Sequence, residues 1–419
     1  MSTHKQVTIG LFGFGVVGEG IYQVLQQTPS LNASIKKVCI KHPEKKRNAD
    51  PSLFTTDYTE LLNDPEINLI VELIDDADEA YKIVTGAFKN GKSVVSANKK
   101  LIAEHLPELL QLQAAHNVSF LYEAAVCGSI PIIRNLEEYY DNDLLQSISG
   151  IVNGSTNFIL TKISEGASYK EALQEAQQLG FAESNPSLDV EGIDPANKLT
   201  ILLAHAYGII TRPEELLRIG ITRLQVTDAA YAEEKNMKIK LVAQACKLAN
   251  GKVAAFVLPQ FVKNENLLFG VKNEYNGVVI ESKLADKQFL YGKGAGRFPT
   301  SSAVISDISA LSYDYKYEYK KLHRVEKYSL TNQFYLKVFV SFNDWSEVNK
   351  WDFEQVIEFH STEERQYITG VIQVEKLRAA TWFKDTSVSV ILLPDGIIEH
   401  DVIVANSLRK VSLQLAGVN

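Results

Sequence analysis

The stretch Ile9–Gly20, reading I-G-L-F-G-F-G-V-V-G-E-G, constrains this chain more than any other. Val7 to Phe12 is an apolar run of strand character. Gly13-Phe14-Gly15-Val16-Val17-Gly18 supplies G-x-G-x-x-G, and Val16, Gly20 and Val24 recur at helical spacing. A strand, a glycine turn and a helix in that order suit a dinucleotide. The first glycine permits a tight turn, and the second lets a pyrophosphate approach the backbone. The third lets helix pack on strand, so that the first N–H groups of the helix face the anion. The competing reading is a plain connection between a strand and a helix, which the flanking context disfavours.

With 419 residues the chain exceeds one ordinary core, and two or three domains are expected. A formal net charge of -8 excludes nucleic acid as the expected partner, since such partners need a basic surface to displace counterions. No apolar run is long enough to cross a bilayer, and Met1 to Gln6 lacks the apolar core of a signal peptide. A cytoplasmic protein without a membrane partner is the expectation. Cys39, Cys127 and Cys246 are widely spaced and odd in number, which argues against a disulfide framework or a cysteine zinc site.

After the first helix, Lys36 to Lys41 reads as a second strand. An acid just past such a strand accepts from the adenine ribose 2′-hydroxyl and selects NAD. Here the residues are Lys41-His42-Pro43-Glu44-Lys45-Lys46-Arg47, a basic cluster suited to a 2′-phosphate, with His42 and Lys45 as candidate contacts. The preference is therefore NADP; Glu44 keeps NAD open, and a solvated charged loop is the bland reading. Asn68 to Ile74 is a third strand, apolar enough to be buried on both faces. An amphipathic helix with Ala80, Ile83, Val84, Ala87 and Phe88 follows and stops at Gly91. Strands at Ser93 to Ala97 and Val118 to Tyr122 flank a helix expected from Leu106 to His116, with Pro107 in its first turn. This alternation is that of a Rossmann-type doubly wound parallel sheet, whose ligands bind beyond the carboxyl ends of the strands. Asn98-Lys99 lies at such an end.

From about Gly150 the pattern changes. Ser168-x-x-Glu171 is a capping box that opens a helix closed at Gly180, and Asp194-Pro195 opens the next, with Leu199, Leu202, Leu203 and Ala206 as its stripe. Lys252 to Val262, Val278 to Ser282 and Gln288 to Tyr291 read as strands of a second α/β domain. Gly292 to Thr300 is a second glycine-rich loop, followed by a helix expected from Ser301 to Leu311. It is either a hinge or another anion site, with Ser301 and Ser302 offering hydroxyls. The remainder alternates strand-like and polar stretches as a small α+β module.

Taken together, these residues resemble the homoserine dehydrogenase family over about Val7 to Ser309. The matching segments are Gly13–Gly18, Ser96-Ala97-Asn98-Lys99, Tyr122–Val126 with Gly128, and Ile130–Ile133. They continue with Gly150–Asn157, Ala176-Gln177-x-Leu179-Gly180-Phe181-Ala182-Glu183, Asp189-Val190-x-Gly192-x-Asp194-x-Ala196-x-Lys198-Leu199, and Gly292-x-Gly294-Ala295-Gly296-x-x-Pro299-Thr300-x-Ser302-Ala303-Val304. The resemblance implies a nucleotide-binding domain over 1–130 completed by about 292–325, a catalytic and dimerisation domain over 131–291, and a carboxyl-terminal ACT-like module over 326–419. It implies a monofunctional enzyme, a homodimer or homotetramer, catalysing reversible hydride transfer between L-homoserine and aspartate 4-semialdehyde with NADP, or with NAD.

The family's catalytic lysines fall at Lys99 and Lys198. Alcohol oxidation needs the hydroxyl proton removed as hydride leaves, and a lysine desolvated beside another cation can take that part. The bland reading of Lys99 is an exposed lysine at a strand end; that of Asp194 is a cap paired with Lys198 one turn on. By resemblance Glu183, Asp189 and Asp194 contact substrate, and Gly13, Phe14, Gly15, Val16, Val17, Gly18, Asn98, Gly294 and Ser302 contact the cofactor. Backbone carbonyls of Glu123, Val126, Gly128 and Ile130 fall where the family offers them to Na+ or K+, and carbonyl oxygens suit a hard ion.

Three features depart from the family. Asp75-Asp76 replace two glycines and would repel a 2′-phosphate if they pointed inward. Cys127 and Ser129 stand where glycine is common, and Cys127 raises a thiolate semialdehyde dehydrogenase as an alternative, disfavoured because no histidine motif accompanies it. In the tail, Asn343-Asp344-Trp345-Ser346 stands where an ACT module has Asp-x-Pro-Gly, so threonine control is not expected. A noncatalytic dinucleotide sensor on the same fold is the second functional reading.

Overall fold

Strand and helix alternate from the start of the chain. The order is β1 (Val7–Phe12), α1 (Val16–Gln27), β2 (Ala33–Cys39), β3 (Phe54–Thr55), α2 (Tyr58–Asn63), β4 (Leu69–Glu72), α3 (Ala77–Lys89), β5 (Ser93–Ser96), α4 (Lys99–His116) and β6 (Phe120–Leu121). The computed structural model describes residues 5–142, 144–363 and 365–399. These six strands form one parallel sheet in the order β3-β2-β1-β4-β5-β6. That is the doubly wound arrangement expected from the sequence, with the order reversing beside β1. β4 is buried along its whole length, as a strand covered by helices on both faces requires.

α4 departs from expectation. It begins at Lys99 rather than Leu106 because Asn98 caps it, its side chain accepting from Leu101 N at 3.0 Å. Pro107 therefore sits inside the helix, where it removes one rung of the backbone ladder, and not in its first turn. Lys99 becomes the first residue of a long helix.

The chain then runs through α5 (Ala124–Cys127), β7 (Leu145–Ile151), α6 (Gly154–Ser164), α7 (Tyr169–Gln178), α8 (Ser187–Val190), α9 (Ile193–Tyr207), β8 (Leu217–Arg218) and α10 (Val226–Glu234). Next come β9 (Met237–Lys247), β10 (Val253–Lys263), β11 (Tyr275–Ser282), β12 (Asp286–Lys293) and α11 (Arg297–Leu311), then β13 (Phe334–Ser341), β14 (Gln355–Ser361), β15 (Gln366–Gln373), α12 (Val374–Ala379) and β16 (Ser389–Glu399). The capping box at Ser168 and Glu171 forms in both directions. Two units result. One comprises Met1–Asp143, Asn197–Pro213 and Leu290–Lys327; the other comprises Leu144–Ala196, Glu214–Phe289 and Tyr328–Asn419.

The second unit is built on a mixed sheet of order β12-β11-β7-β9-β10-β16-β13-β15-β14, with β8 also paired to β10. The carboxyl-terminal strands do not form a separate sheet: β16 pairs with β10 through Gln260 and Leu392. Within them the order β16-β13-β15-β14 is wholly antiparallel, and two short 3-10 turns, Trp345–Glu347 and Lys350–Asp352, occupy the connection between β13 and β14. Asp344 caps the first of these turns, accepting from Ser346 N at 2.8 Å. Among the described residues no helix is long and apolar enough to cross a membrane.

Candidate active site

In the first unit, Gly13 leaves β1 with φ +94° and donates its N–H to Cys39 O at 3.1 Å. A Cβ on Gly18 would stand 2.3 Å from Gly13 O, so α1 starts where it does only because both positions are glycine. Gly15 is the α1 N-cap without a side-chain cap bond, and open space lies where its Cβ would be. The open space where a Gly15 Cβ would stand leaves the backbone at the start of α1 uncovered, as the close approach of a pyrophosphate requires.

Beside this turn an open cavity of about 420 Å³ is lined by Phe14, Glu19, Lys46, Arg47 and Asn48. Arg47 donates to the carbonyls of His42 and Lys45, both at 2.7 Å, and lies 5.5 Å from the centre of the Phe54 ring. The backbone oxygens of His42 and Lys45 thus hold Arg47 in place, and the His42 ring lies 3.2 Å from Glu44. Lys46 and Arg47 are the cations at the cavity wall.

At the carboxyl ends of β4 and β5 a polar chain is buried. Glu72, fully buried, accepts from Ile74 N at 2.7 Å and from Ser96 Oγ at 2.6 Å. Ser96 Oγ accepts in turn from Asn98 N at 3.0 Å, and Asn98 Nδ2 donates to Ile74 O at 3.1 Å. Burial pushes the Glu72 carboxyl up to about 7, the Asp75 charge adding to this and the two hydrogen bonds opposing it. The next residue on from Asn98 is Lys99, half-buried; Lys100 beside it is exposed and 3.8 Å from Glu104. Asp75 and Asp76 are both exposed. Asp76 turns to its own helix, accepting from Asp78 N and Glu79 N at 3.0 and 3.1 Å, and those bonds hold its carboxyl below the usual range.

The second glycine loop docks on the segment after α5. Ser129 lies with its N and Oγ 3.1 and 3.0 Å from Lys293 O, and a Cβ on Gly128 (φ +53°) would stand 2.5 Å from Gly294 O. α11 begins at Arg297, capped by Gly296, and not at Ser301, because Pro299 is tolerated in a first turn. The Ser301 hydroxyl consequently sits between Arg297 O (2.6 Å) and Val17 O (3.1 Å), pinning α11 to α1, while Ser302 is exposed in the second turn. Arg297 and Glu19 add an ion pair at 3.0 Å across the same helices.

Glu123 is buried with both carboxylate oxygens engaged, accepting from Ile133 N at 2.7 Å and Arg134 N at 3.0 Å. Its own N–H donates to Asp307 Oδ2 at 2.9 Å, and burial together with the Glu123 charge pushes Asp307 up to about 8. Ile130 O accepts from Ile132 N at 2.9 Å. Among the described residues no cluster of three or more His, Cys, Asp and Glu side chains could hold a metal ion. Lys198 is buried on α9, and His205, seven residues on along the same helix, is locked 2.6 Å from Glu137 and 2.9 Å from Tyr122 OH.

In the second unit, Asn153 Nδ2 donates to Asp189 Oδ1 and to Asp194 Oδ2, each at 2.7 Å. Asp194 is buried and Asp189 half-buried. Glu183 is exposed after α7, with Gln177 Nε2 donating to its carbonyl at 2.9 Å. Sequence reasoning missed three contributors to these sites. Glu72 was signalled by a lone acid in the apolar run Leu69–Ile74, Arg47 by its place in the basic cluster, and the linking action of Asn153 by nothing local.

Residues 131–309 match the family model for homoserine dehydrogenase, and residues 13–123 match that for the homoserine dehydrogenase NAD binding domain. A homoserine dehydrogenase of Synechocystis sp. is 39% identical over 313 residues, covering 72% of this chain and 72% of that protein. The crystal structure of a homoserine dehydrogenase from Thiobacillus denitrificans superposes with a TM-score of 0.78 at 28% identity, covering 93% of this chain and 98% of that one. A hyperthermophilic archaeal homoserine dehydrogenase in complex with NADPH gives a TM-score of 0.65 at 29% identity, covering 74% and 99%.

Proposed function

The chain belongs to the homoserine dehydrogenase family and is an NAD(P)-dependent oxidoreductase of that activity; on that premise we propose that it uses NADP and transfers the substrate proton through Lys99 and Lys198. When bound, the nicotinamide cofactor accepts or supplies the hydride. The chain's residues hold it, orient the substrate and move the proton.

The N–H groups at the start of α1 take the pyrophosphate, beside Gly13 to Gly18. Lys46 and Arg47 pair with the 2′-phosphate, a role supported by their place on the cavity wall beside Phe14. Asp76 does not oppose this, because its carboxylate is committed to the N-terminus of α3. Asn98, Gly294 and Ser302 complete the cofactor contacts. The observation that carries the catalytic reading is the buried chain Glu72–Ser96–Asn98, which fixes the backbone that bears Lys99. In the oxidative direction a lysine amine accepts the hydroxyl proton of homoserine as the C–H bond breaks; in reverse an ammonium returns it to the carbonyl oxygen. Glu183, Asp189 and Asp194 hold the substrate ammonium.

The carbonyls of Glu123, Val126, Gly128 and Ile130 hold Na+ or K+. This fits a Glu123 side chain whose oxygens are already taken, leaving its carbonyl as the oxygen on offer. We take the working form to be a homodimer or homotetramer, measurable by light scattering.

The test is the oxidation of NADPH and NADH, followed separately, with aspartate semialdehyde. Lys99→Ala should lower kcat by roughly 10²-fold or more with NADPH affinity unchanged. An undiminished rate would remove Lys99 from the reaction. Arg47→Ala should raise KM for NADPH about tenfold or more and leave that for NADH unchanged. Replacing K+ and Na+ by tetramethylammonium should lower the rate. Added threonine should not.

A further inference from the structure

We propose that Asn153 is a positioning residue for substrate recognition: its side-chain amide sets the separation and direction of the Asp189 and Asp194 carboxylates. This rests on the reading of those two acids as substrate contacts. Both carboxylates lie 2.7 Å from one nitrogen, Asn153 Nδ2, which has two hydrogens and gives one to each. The amide orientation is forced by its neighbours. Asn153 Oδ1 accepts from Thr156 N at 2.9 Å, so a reversed amide would set an oxygen against two carboxylates and an NH2 against an N–H.

Two carboxylates brought to one point repel each other and would turn apart or take up a proton. A donor placed between them replaces that repulsion with two charge-assisted hydrogen bonds. The amide reaches three segments at once: the junction of β7 and α6, where Asn153 is the N-cap; α8, which carries Asp189; and the first turn of α9, which carries Asp194.

Asn153 can dictate position because its own helix is anchored on the other side. Asn157, one turn on, donates to Asn273 O at 2.9 Å and Tyr275 O at 3.1 Å, and its Oδ1 accepts from the buried Lys240 Nζ at 2.9 Å. With that turn held, the carboxylates conform to the amide. A pair of acids at a set spacing is a receptor for a primary ammonium, so the loss of Asn153 should weaken amino-acid binding more than turnover.

Asn153→Ser separates this role from capping. Serine caps a helix as well as asparagine does, but its single hydroxyl proton cannot reach two carboxylates. The variant should melt within a few degrees of the parent, keep its KM for NADP, and raise KM for homoserine about tenfold while kcat changes less than about threefold. In an Asp189→Asn background the serine substitution should raise KM for homoserine by clearly less, because one of the two carboxylates it acts through is already removed. An unchanged KM in Asn153→Ser, or an equal rise in both backgrounds, overturns the proposal. If Asp189→Asn and Asp194→Asn by themselves leave KM for homoserine unchanged, the substrate reading of those acids falls, and the proposal with it. A normal response in those two and none in Asn153→Ser overturns the proposal alone.

Discussion

Glu72 shows how a single residue ties the sheet to the chemistry. A carboxylic acid surrounded by β1, β4 and β5 keeps its proton longer than one in water, and its folded-state value near 7 lies above the ordinary 4.5. The sign follows from proton counting. Between those limits the folded protein binds more protons at this position than the unfolded chain, so its stabilising contribution is fully present below about pH 4.5 and is lost as pH rises through about 7. Glu72→Gln removes the titration and keeps one acceptor for Ile74 N. The stability of the parent relative to this variant, from urea midpoints, should therefore fall by on the order of 2–3 kcal/mol between pH 4.5 and pH 8. A difference that stays flat across that range would mean that Glu72 is ionised at all these pH values. Because Asn98 hangs on the same chain through Ser96, kcat in Glu72→Gln should also fall, reporting a shift of Lys99 at the start of α4.

At the scale of elements, the docking of the 292–296 loop on the segment after α5 depends on one position. Gly128 has φ +53° and ψ −111°, a combination that glycine alone adopts readily, and an added Cβ would meet Gly294 O at 2.5 Å and Lys293 O at 2.8 Å. Both opposing atoms are backbone, so neither can swing aside. Gly128→Ala should cost about 2–4 kcal/mol, backbone strain and overpacking combined, and weaken NADP binding in calorimetry; a variant as stable as the parent would show that the loop is free to retreat. Elements of this kind were legible in the sequence where local chemistry decides them. The glycines at 13 and 18, the capping box at Ser168 and the apolar run of β4 each carry their own instructions. Boundaries set by competition between signals were less legible. Asn98 outbid Pro107 as the start of α4, and Pro299, legal in a first turn, let α11 begin at Arg297. β3 and α2 are short, two and six residues, with no period to read. The acids at 183, 189 and 194 and the lysines at 99 and 198 had plausible local roles, and the family resemblance was needed to give them chemical ones. The link from Asn153 to residues 36 and 41 positions away exists only once the chain has folded.

For the molecule as a whole, the tail from 326 onward is where sequence and structure diverge most in character. Read along the chain it is an appended module. In space its strands continue the sheet of the second unit and share one core with it: Phe334, Leu336, Val338, Val340 and Leu392 pack with Ala254, Phe256 and Leu258 of β10, Leu217 and Ile219 near β8, and Leu248. Phe256 and Phe334 stack at 6.1 Å. Ending the chain after Val325 would strip the apolar cover from those six residues of 217–258 and open the edge of β10 that β16 occupies. At about 1.5–3 kcal/mol for each large side chain exposed, the loss is on the order of 10 kcal/mol, comparable with the entire stability of an ordinary domain. The truncated chain should therefore aggregate on expression and fail to give a cooperative melting transition, even though it keeps Gly13 to Gly18, Lys99 and Lys198. A monodisperse truncation with the parent's kcat would show that the second unit closes its core without the tail. Should the truncation aggregate as expected, replacing the uncovered Phe256 and Leu258 by lysine in the same shortened chain should restore solubility, because the defect lies in an exposed apolar face and not in the site.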